Sequence, residues 1–420
     1  MDTNSLKCNT LVMKVASRCN LNCTYCYMYN MGDSTYKNQP KVMSDAVVDA
    51  IIERVREHCV GHDVKGFSFA FHGGEPLLAG KEFFSKFITK ANKVLSPVTR
   101  VTYLVQTNAT LLTESWCTFF DDWGVQIGIS LDGTPEANDQ FRIDHAGRGS
   151  YDRIVAGLRL AQQGTVKNSQ PGILSVININ ADPVEIYNHF KSLEAENISF
   201  LLPDSNFDKL PPLPESGNEH SDTPYADWLI RLFDVWFKDR DNQLTIQYFR
   251  KIIHAVLGRE VVSELIGTAN NEVLIIETNG SIESLDVLKI CGEGFTKNNA
   301  NVLTCGLDEA LQTPLANLYH LSHKKMCSKC ASCPVIEICG GGYLPHRYSS
   351  KNGFNNPSVY CNDLLKLITH IQTQVINQLP AELLEETGIS ALGYEEAIEM
   401  LEKEFGKPFV SGYAEELESY

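Results

Sequence analysis

Two groups of cysteines carry the chemistry legible in this sequence. Cys19, Cys23 and Cys26 form C-x3-C-x2-C in the run Ser17-Arg18-Cys19-Asn20-Leu21-Asn22-Cys23-Thr24-Tyr25-Cys26-Tyr27. Seven more of the thirteen cysteines fall between Cys291 and Cys361. A tetrahedral zinc ion wants four ligands, and no histidine follows Cys26 until His58. Three thiolates instead suit a cubane iron–sulfur cluster with one iron left open. The second group, Cys327-x2-Cys330-x2-Cys333-x5-Cys339 with Cys361 further on, is too dense for packing alone. A zinc ribbon is one reading of it, since two pairs of cysteines satisfy Zn²⁺. Cys8, Cys59 and Cys117 stand apart and read as apolar core cysteines.

The elements that position these residues alternate. Strands are expected at Thr10–Ala16, Gly66–Phe71, Arg100–Gln106, Val125–Ser130, Ile173–Asn180 and Ile198–Leu202. Amphipathic helices are expected between them at Ser44–His58, Lys81–Val94, Thr113–Asp122, Tyr151–Gln162 and Pro183–Glu196. Repeated β-α units imply an α/β fold around a mainly parallel sheet, and periodicity alone allows an incomplete barrel or a doubly wound sheet. The first cysteine group lies on the loop leaving the first strand, where a βα-barrel places its chemistry. Polar residues end the next strands: Gly73-Gly74-Glu75-Pro76, then Gln106 and Asn108, then Ser130 and Asp132. A loop rich in Pro, Asp and Ser spans Pro203–Pro224, followed by helices at Tyr225–Lys238 and Phe249–Leu257. A strand pair around Glu272–Ile282 turns at Asn279-Gly280. The cysteine-rich stretch that follows has little periodicity, as expected of a fold held by metal, and helix resumes at Asn362–Gln378. The tail Pro380–Tyr420 reads as acidic helix.

Composition narrows the function class. The chain has 420 residues, between two and three domains at roughly 150 residues each. Its 36 basic against 52 acidic residues give a net charge of −16 with no Lys/Arg-rich block, which argues against a nucleic-acid groove. No window approaches the ~18 apolar residues of a membrane span, and Met1–Lys7 lacks a signal core. The expectation is a cytoplasmic protein with no nucleic-acid or membrane partner, whose thiols stay reduced.

C-x3-C-x2-C followed by aromatic Tyr27 resembles the radical S-adenosylmethionine (SAM) superfamily, and Gly-Gly-Glu-Pro on the second strand strengthens the likeness. The resemblance implies a partial (β/α)6 barrel and a 4Fe–4S cluster on Cys19, Cys23 and Cys26, whose open iron is chelated by SAM. Reductive cleavage of SAM then yields a 5′-deoxyadenosyl radical that takes a hydrogen atom from substrate. It further implies a SAM site built from Tyr27, Gly73, Gly74, Glu75, Pro76, Gln106, Asn108, Ser130, Arg142 and Ile177.

C-x2-C-x5-C, the glycines 340–342 and a distant cysteine resemble the SPASM domain, a loop-rich radical-SAM appendage that binds auxiliary 4Fe–4S clusters. Cys330, Cys333, Cys339 and Cys361 map onto its fully ligated second cluster. The first departs from the pattern, because Leu285 and Tyr343 stand where two ligands are usual. Cys291, Cys305 and Cys327 remain for a relocated first auxiliary cluster, giving three clusters in all. Asp286 falls where sulfatase-maturing relatives place a catalytic base. The implied domains are a radical SAM core over 1–224, bridging helices and hairpin over 225–288, the SPASM domain over 289–365 and a helical tail over 366–420.

SPASM-bearing relatives mostly modify peptides or proteins. The segments Tyr27–Asn30, Gln39-Pro40, Gly340–Tyr348 and Asn352–Cys361 look like maturases of ribosomally made peptides, in particular the Xye-type formers of three-residue cyclophanes (triceptides). That likeness implies abstraction of a β-hydrogen, attack of the carbon radical on an aromatic ring, and loss of a proton and an electron. Thioether formation, epimerisation and oxidation of Ser or Cys to formylglycine are the alternatives within peptide chemistry. A non-catalytic iron–sulfur or zinc module is the alternative outside it. The implied partners are a precursor peptide, a reductant such as flavodoxin or ferredoxin, and a separate leader-binding protein, since Cys19 stands too near the start for an N-terminal leader-binding module.

Overall fold

The computed structural model describes residues 6–163, 170–215, 221–240, 243–388, 390–405 and 412–420. Parts of three segments read from sequence, Met1–Lys7, the loop Pro203–Pro224 and the tail, lie outside the described residues. Among the described residues, nine strands alternate with helices. The first half runs β1 (Thr10–Ala16), α1 (Asp45–His62), β2 (Gly66–Gly73), α2 (Lys81–Leu95), β3 (Arg100–Thr107), α3 (Glu114–Trp123), β4 (Val125–Ser130), α4 (Pro135–Asp139), α5 (Tyr151–Gln163), β5 (Gly172–Val176), α6 (Pro183–Ser192) and β6 (Asn197–Leu201). It continues with α7 (Pro224–Lys238), β7 (Thr245–Ile246), α8 (Gln247–Val256), β8 (Val273–Ile276), β9 (Ile282–Glu283), α9 (Leu307–Leu311) and α10 (Pro314–His320). The last helices are α11 (Ser328–Ala331), α12 (Ile336–Cys339), α13 (Cys361–Ile376), α14 (Ala381–Thr387), α15 (Tyr394–Phe405) and α16 (Ala414–Glu418).

The chain divides into two compact units. The first holds residues 1–176, 195–198 and 272–320. Its strands lie in the order β5-β4-β3-β2-β1-β8-β9. β1 to β5 pair in parallel, each with its sequence neighbour, and β8 adds in parallel on the free side of β1. Winding in one direction is that of a barrel segment; a doubly wound sheet reverses its order at a switch point. The hairpin β8–β9 closes the far edge, with Gly280 at φ 87° in its turn. Its strands and residues 286–320 belong to this unit.

Local chemistry explains most element ends. Ser44 caps α1 by accepting from the Val47 amide at 3.4 Å, and Asp63 ends it in the left-handed region four residues beyond the expected stop. β5 stops at Val176, short of the expected Asn180, because the Asn178 side chain accepts the Asn180 amide and turns the backbone out of the ladder. α6 ends at Ser192 because Glu194 adopts φ 55°. Between sheet and helices an aromatic layer forms, with Phe71 edge-on to Phe84 at 4.9 Å and Phe69 edge-on to Phe87 at 5.1 Å.

The second unit holds residues 177–194, 199–271 and 321–420. α13 packs on α7 and α8, and the Asp363 carboxylate accepts the Ala226 amide at 2.9 Å. The tail belongs to this unit: Ala397, Leu401 and Leu417 are buried, and the Phe354 amide donates to the Leu417 carbonyl at 2.8 Å. Among the described residues, no helix is long and apolar enough to cross a membrane.

Candidate active site

The loop after β1 folds back on itself and presents the first three cysteines. The Cys26 amide donates to the Cys23 carbonyl, and the amides of Tyr29 and Asn30 to that of Cys26. Two further amides anchor the loop, Asn22 to the Ile143 carbonyl at 2.7 Å and Thr24 to that of Phe141 at 3.0 Å. All three cysteines are partly buried. Burial pushes the Cys19 thiol up to about 12 and the Cys26 thiol up to about 11, and raises Cys23. Thiolate is the ligating form, so metal binding here releases protons.

Zinc would draw its sulfurs to within about 3.8 Å of one another, from Zn–S bonds near 2.3 Å. Among the described residues, His58, His62 and Asp308 form a group of possible ligands whose atoms lie within 4.8 Å of one another. The two histidines are engaged by the protein itself. His58 Nε2 accepts the Cys8 amide at 3.0 Å, which leaves its proton on Nδ1, facing Asp308 at 2.5 Å.

The glycines after β2 are required by the loop they meet. A Cβ on Gly73 would stand 2.2 Å from the Ala16 carbonyl oxygen, and one on Gly74 2.1 Å from Tyr29 Oη. Gly74 and Glu75 donate their amides to the Ala16 and Arg18 carbonyls, fastening the end of β2 to the cysteine loop. Glu75 itself is fully buried, and its carboxylate accepts from the Leu77 amide, the Thr107 hydroxyl and the Asn108 amide at 3.1, 2.7 and 2.9 Å. Its first work is therefore to bind the ends of β2 and β3 together.

Other strand-end residues gather around the same loop. Asn108 Nδ2 donates to Asn20 at 2.9 Å and lies 3.7 Å from Cys19 Sγ. Gln106 donates to Ser130 Oγ at 2.9 Å. Arg142 Nη1 donates to Tyr25 Oη at 2.8 Å, Tyr25 donates to Asp132, and Asp132 also accepts the Val176 amide. Arg142 is buried with its Nε unpartnered, a cationic donor free for an anionic group. Ile177 lies in the second unit, buried, with its amide donated to the Leu201 carbonyl.

A fourth cluster surrounds Asp286. Its carboxylate forms an ion pair with Lys14, from the middle of β1, and accepts from Tyr27 Oη. Lys14 Nζ also lies 2.9 Å from Tyr27 Oη and 3.1 Å from His72 Nδ1. His72 Nδ1 accepts the Gly73 amide too, so the ring is a neutral acceptor; burial first and Lys14 second lower it to about 3. Burial alone would raise Asp286, but the charge and hydrogen bond of Lys14, with His72 and Lys289, together outweigh it and hold the carboxyl well below its usual range. Asp286 is thus an ionised proton acceptor hydrogen-bonded to the residue that follows Cys26. Lys14 went unremarked in the sequence, where a lysine inside Thr10–Ala16 was the available signal.

In the second unit, Cys330, Cys333, Cys339 and Cys361 line one cavity with Gly341, Ser358, Leu364 and Leu401, about 410 Å³ of space partly open to solvent. The four thiolates expected on one cluster thus share one space, in keeping with that donor set. Burial raises Cys339 to about 12 and Cys361 to about 11. Cys327 accepts a hydrogen bond from Cys330, which lowers its thiol. Cys291 and Cys305 belong to the first unit, and Cys327 to the second. Cys8, Cys59 and Cys117 are core residues.

Residues 13–193 match the model of the Radical SAM superfamily. A cysteine-type anaerobic sulfatase-maturating enzyme of Clostridium perfringens is 27% identical over 376 residues, 87% of this chain and 97% of that protein. A serine-type anaerobic sulfatase-maturating enzyme of Bacteroides thetaiotaomicron is 25% identical, over 86% of this chain and 88% of that one. The solved structure of native anSMEcpe with bound AdoMet and Cp18Cys peptide superposes with a TM-score of 0.72 and 26% identity, over 88% of this chain and 98% of the other. The chain carries a radical SAM domain on a parallel α/β sheet, in a fold shared with anSMEcpe.

Proposed function

We propose that this protein is a radical SAM enzyme that oxidises a side chain of a peptide or protein. The observation that carries the reading is Asp286, buried, ionised and hydrogen-bonded to Tyr27 beside the cysteine loop. A 4Fe–4S cluster with SAM supplies a 5′-deoxyadenosyl radical that abstracts a hydrogen atom, and auxiliary clusters supply an acceptor for the electron that must follow. Cys19, Cys23 and Cys26 would hold the first cluster and Cys330, Cys333, Cys339 and Cys361 an auxiliary one, with Cys291 and Cys305 of the first unit left for another. Gly73, Gly74, Gln106, Asn108, Ser130 and Arg142 would hold SAM, with Arg142 offering a guanidinium donor to its carboxylate. Asp286 takes the proton that the substrate sheds on oxidation, and Lys14 keeps it ionised between turnovers.

The sulfatase-maturating relatives support oxidation of a Cys or Ser side chain to formylglycine as the outcome. The segments Gly340–Tyr348 and Asn352–Cys361 support a second outcome, an aromatic-ring-to-Cβ crosslink in a ribosomally made precursor. Both remove a hydrogen atom, a proton and an electron, so both use Asp286 alike. A flavodoxin- or ferredoxin-type reductant and, for a precursor, a separate leader-binding protein complete the reading, in the cytoplasm. The deciding experiment incubates the reconstituted protein anaerobically with SAM, dithionite and either a sulfatase-type Cys or Ser peptide or a ring-containing precursor. Capture of an aldehyde by hydrazide selects the first outcome, and loss of two hydrogens without an aldehyde the second. Failure to form 5′-deoxyadenosine at all would sink both.

A further inference from the structure

The side chain of Arg347 is wholly buried, at 0% exposure, yet two of its donors, Nε and Nη2, have no partner. Only Nη1 is used, donating to the Ser322 and Lys325 carbonyls at 3.1 and 3.2 Å. Among the described residues no carboxylate forms an ion pair with it. A guanidinium taken out of water without an anion costs several kcal/mol, so the site is incomplete as a set of protein groups alone. Its electrostatic neighbours are sulfurs: Cys330, Cys327 and Cys339. It also abuts the cavity that holds the cysteines, since a Cβ on Gly341, which lines that cavity, would lie 3.1 Å from Arg347 Nη1.

We propose that Arg347 is the charge partner of the auxiliary cluster in the second unit, with Nε and Nη2 donating to its sulfurs and holding its reduction potential up. The proposal rests on the reading that Cys330, Cys333, Cys339 and Cys361 carry a 4Fe–4S cluster. Four thiolates leave such a cluster net negative, and reduction adds one more negative charge. A fixed buried cation with free donors therefore stabilises the reduced state more than the oxidised one, and cluster potentials respond to charge and to hydrogen bonds on sulfur. A potential held up in this way favours acceptance of an electron from substrate. Lysine can restore the charge, though not the planar pair of donors.

The test is an EPR-monitored redox titration of the reconstituted full-length protein, as wild type, Arg347→Lys and Arg347→Met, following the cluster signal that SAM does not perturb. With iron content unchanged, Arg347→Met lowers the one-electron equilibrium constant for reduction at least tenfold, about 59 mV. Arg347→Lys gives a smaller shift, and the SAM-sensitive cluster stays where it was. An unshifted potential in an iron-replete Arg347→Met protein overturns the proposal and leaves Arg347 a staple for the loop at Ser322 and Lys325. Should Arg347→Met lose its iron, wild-type protein labelled with ¹⁵N-arginine decides instead. Nitrogen hyperfine coupling to the reduced auxiliary cluster upholds the proposal, and its absence overturns it. Iron counting of the wild type comes first, because a protein with no auxiliary cluster fails the cysteine reading rather than the role of Arg347.

Discussion

Lys14 and Asp286 form an ion pair closed to solvent, with side-chain exposures of 0% and 8%. One comes from the middle of β1 and the other from just beyond β9, so the pair ties the first strand to the segment after the hairpin. Lys14→Met strands a buried carboxylate, and breaking a buried pair by removing one partner costs about 3–5 kcal/mol. Removing both partners, as in Lys14→Met/Asp286→Leu, costs less than the sum of the two single changes. Urea unfolding under anaerobic conditions reads the cycle, and additive costs would show that the pair is not coupled. Because Asp286 is held below its ordinary range, this stabilisation is present above the unfolded carboxylate value, about 3.9, and is lost as pH falls below it.

Asp286→Asn keeps the shape and the Tyr27 contact but cannot take a proton. If Asp286 is the base, product formation falls roughly 10²- to 10⁴-fold while 5′-deoxyadenosine continues to form, because the proton leaves after the hydrogen atom. Chromatography of both products in one reaction checks this. Equal loss of the two would assign Asp286 to folding or SAM binding instead.

The alternating strands and helices were legible because each β1–β5 strand buries enough apolar surface to mark itself, and helices such as α1 and α3 start on side-chain caps, Ser44 and Thr113. The cysteines were legible by spacing alone. What the sequence hid were partners brought together across long separations. Nothing local in Thr10–Ala16 says that Lys14 meets residue 286, or that Tyr25 links Asp132 to Arg142. Glu75 stands out in the sequence within Gly-Gly-Glu-Pro, but its internal donors at Leu77, Thr107 and Asn108 do not, since they arise only once β2 lies beside β3. The limits of β5 and α6 were missed for a smaller reason, single-residue turns at Asn178 and Glu194 that periodicity does not register.

His72 gives the site a pH signature. Its folded value, about 3, lies below the ordinary 6.5, so between these values the unfolded chain binds a proton that the folded chain refuses. Stability therefore falls as pH drops from about 6.5 toward 3, with a slope of about 1.4 kcal/mol per unit from this residue. His72→Gln retains an acceptor for Lys14 and removes that slope. Unfolding free energies at a series of pH values between 4 and 7 test it, and parallel curves for the two proteins would rule it out.

Gly74→Ala should strike one cluster and spare the other. Its methyl group would meet Tyr29 Oη at 2.1 Å and the Arg18 carbonyl oxygen at 2.4 Å, so the end of β2 cannot stay fastened to the cysteine loop. The expected result is loss of about four irons per chain and of 5′-deoxyadenosine formation, with the auxiliary signal kept. Gly66→Ala, where a Cβ meets nothing within 4 Å, is the control and leaves the iron count intact.

Iron content decides what Cys291 and Cys305 do. If they hold a cluster in addition to those on Cys19/Cys23/Cys26 and Cys330/Cys333/Cys339/Cys361, anaerobic reconstitution gives about 12 irons per chain, and Cys291→Ala/Cys305→Ala lowers the count by about four. If they are structural thiols, wild type holds about eight and the double variant the same. Cys330 donates a hydrogen bond to Cys327 and so ties it to a neighbouring ligand. Cys327→Ser tests the tie to Cys330: it leaves the iron count unchanged while shifting the EPR signal of the cluster on Cys330.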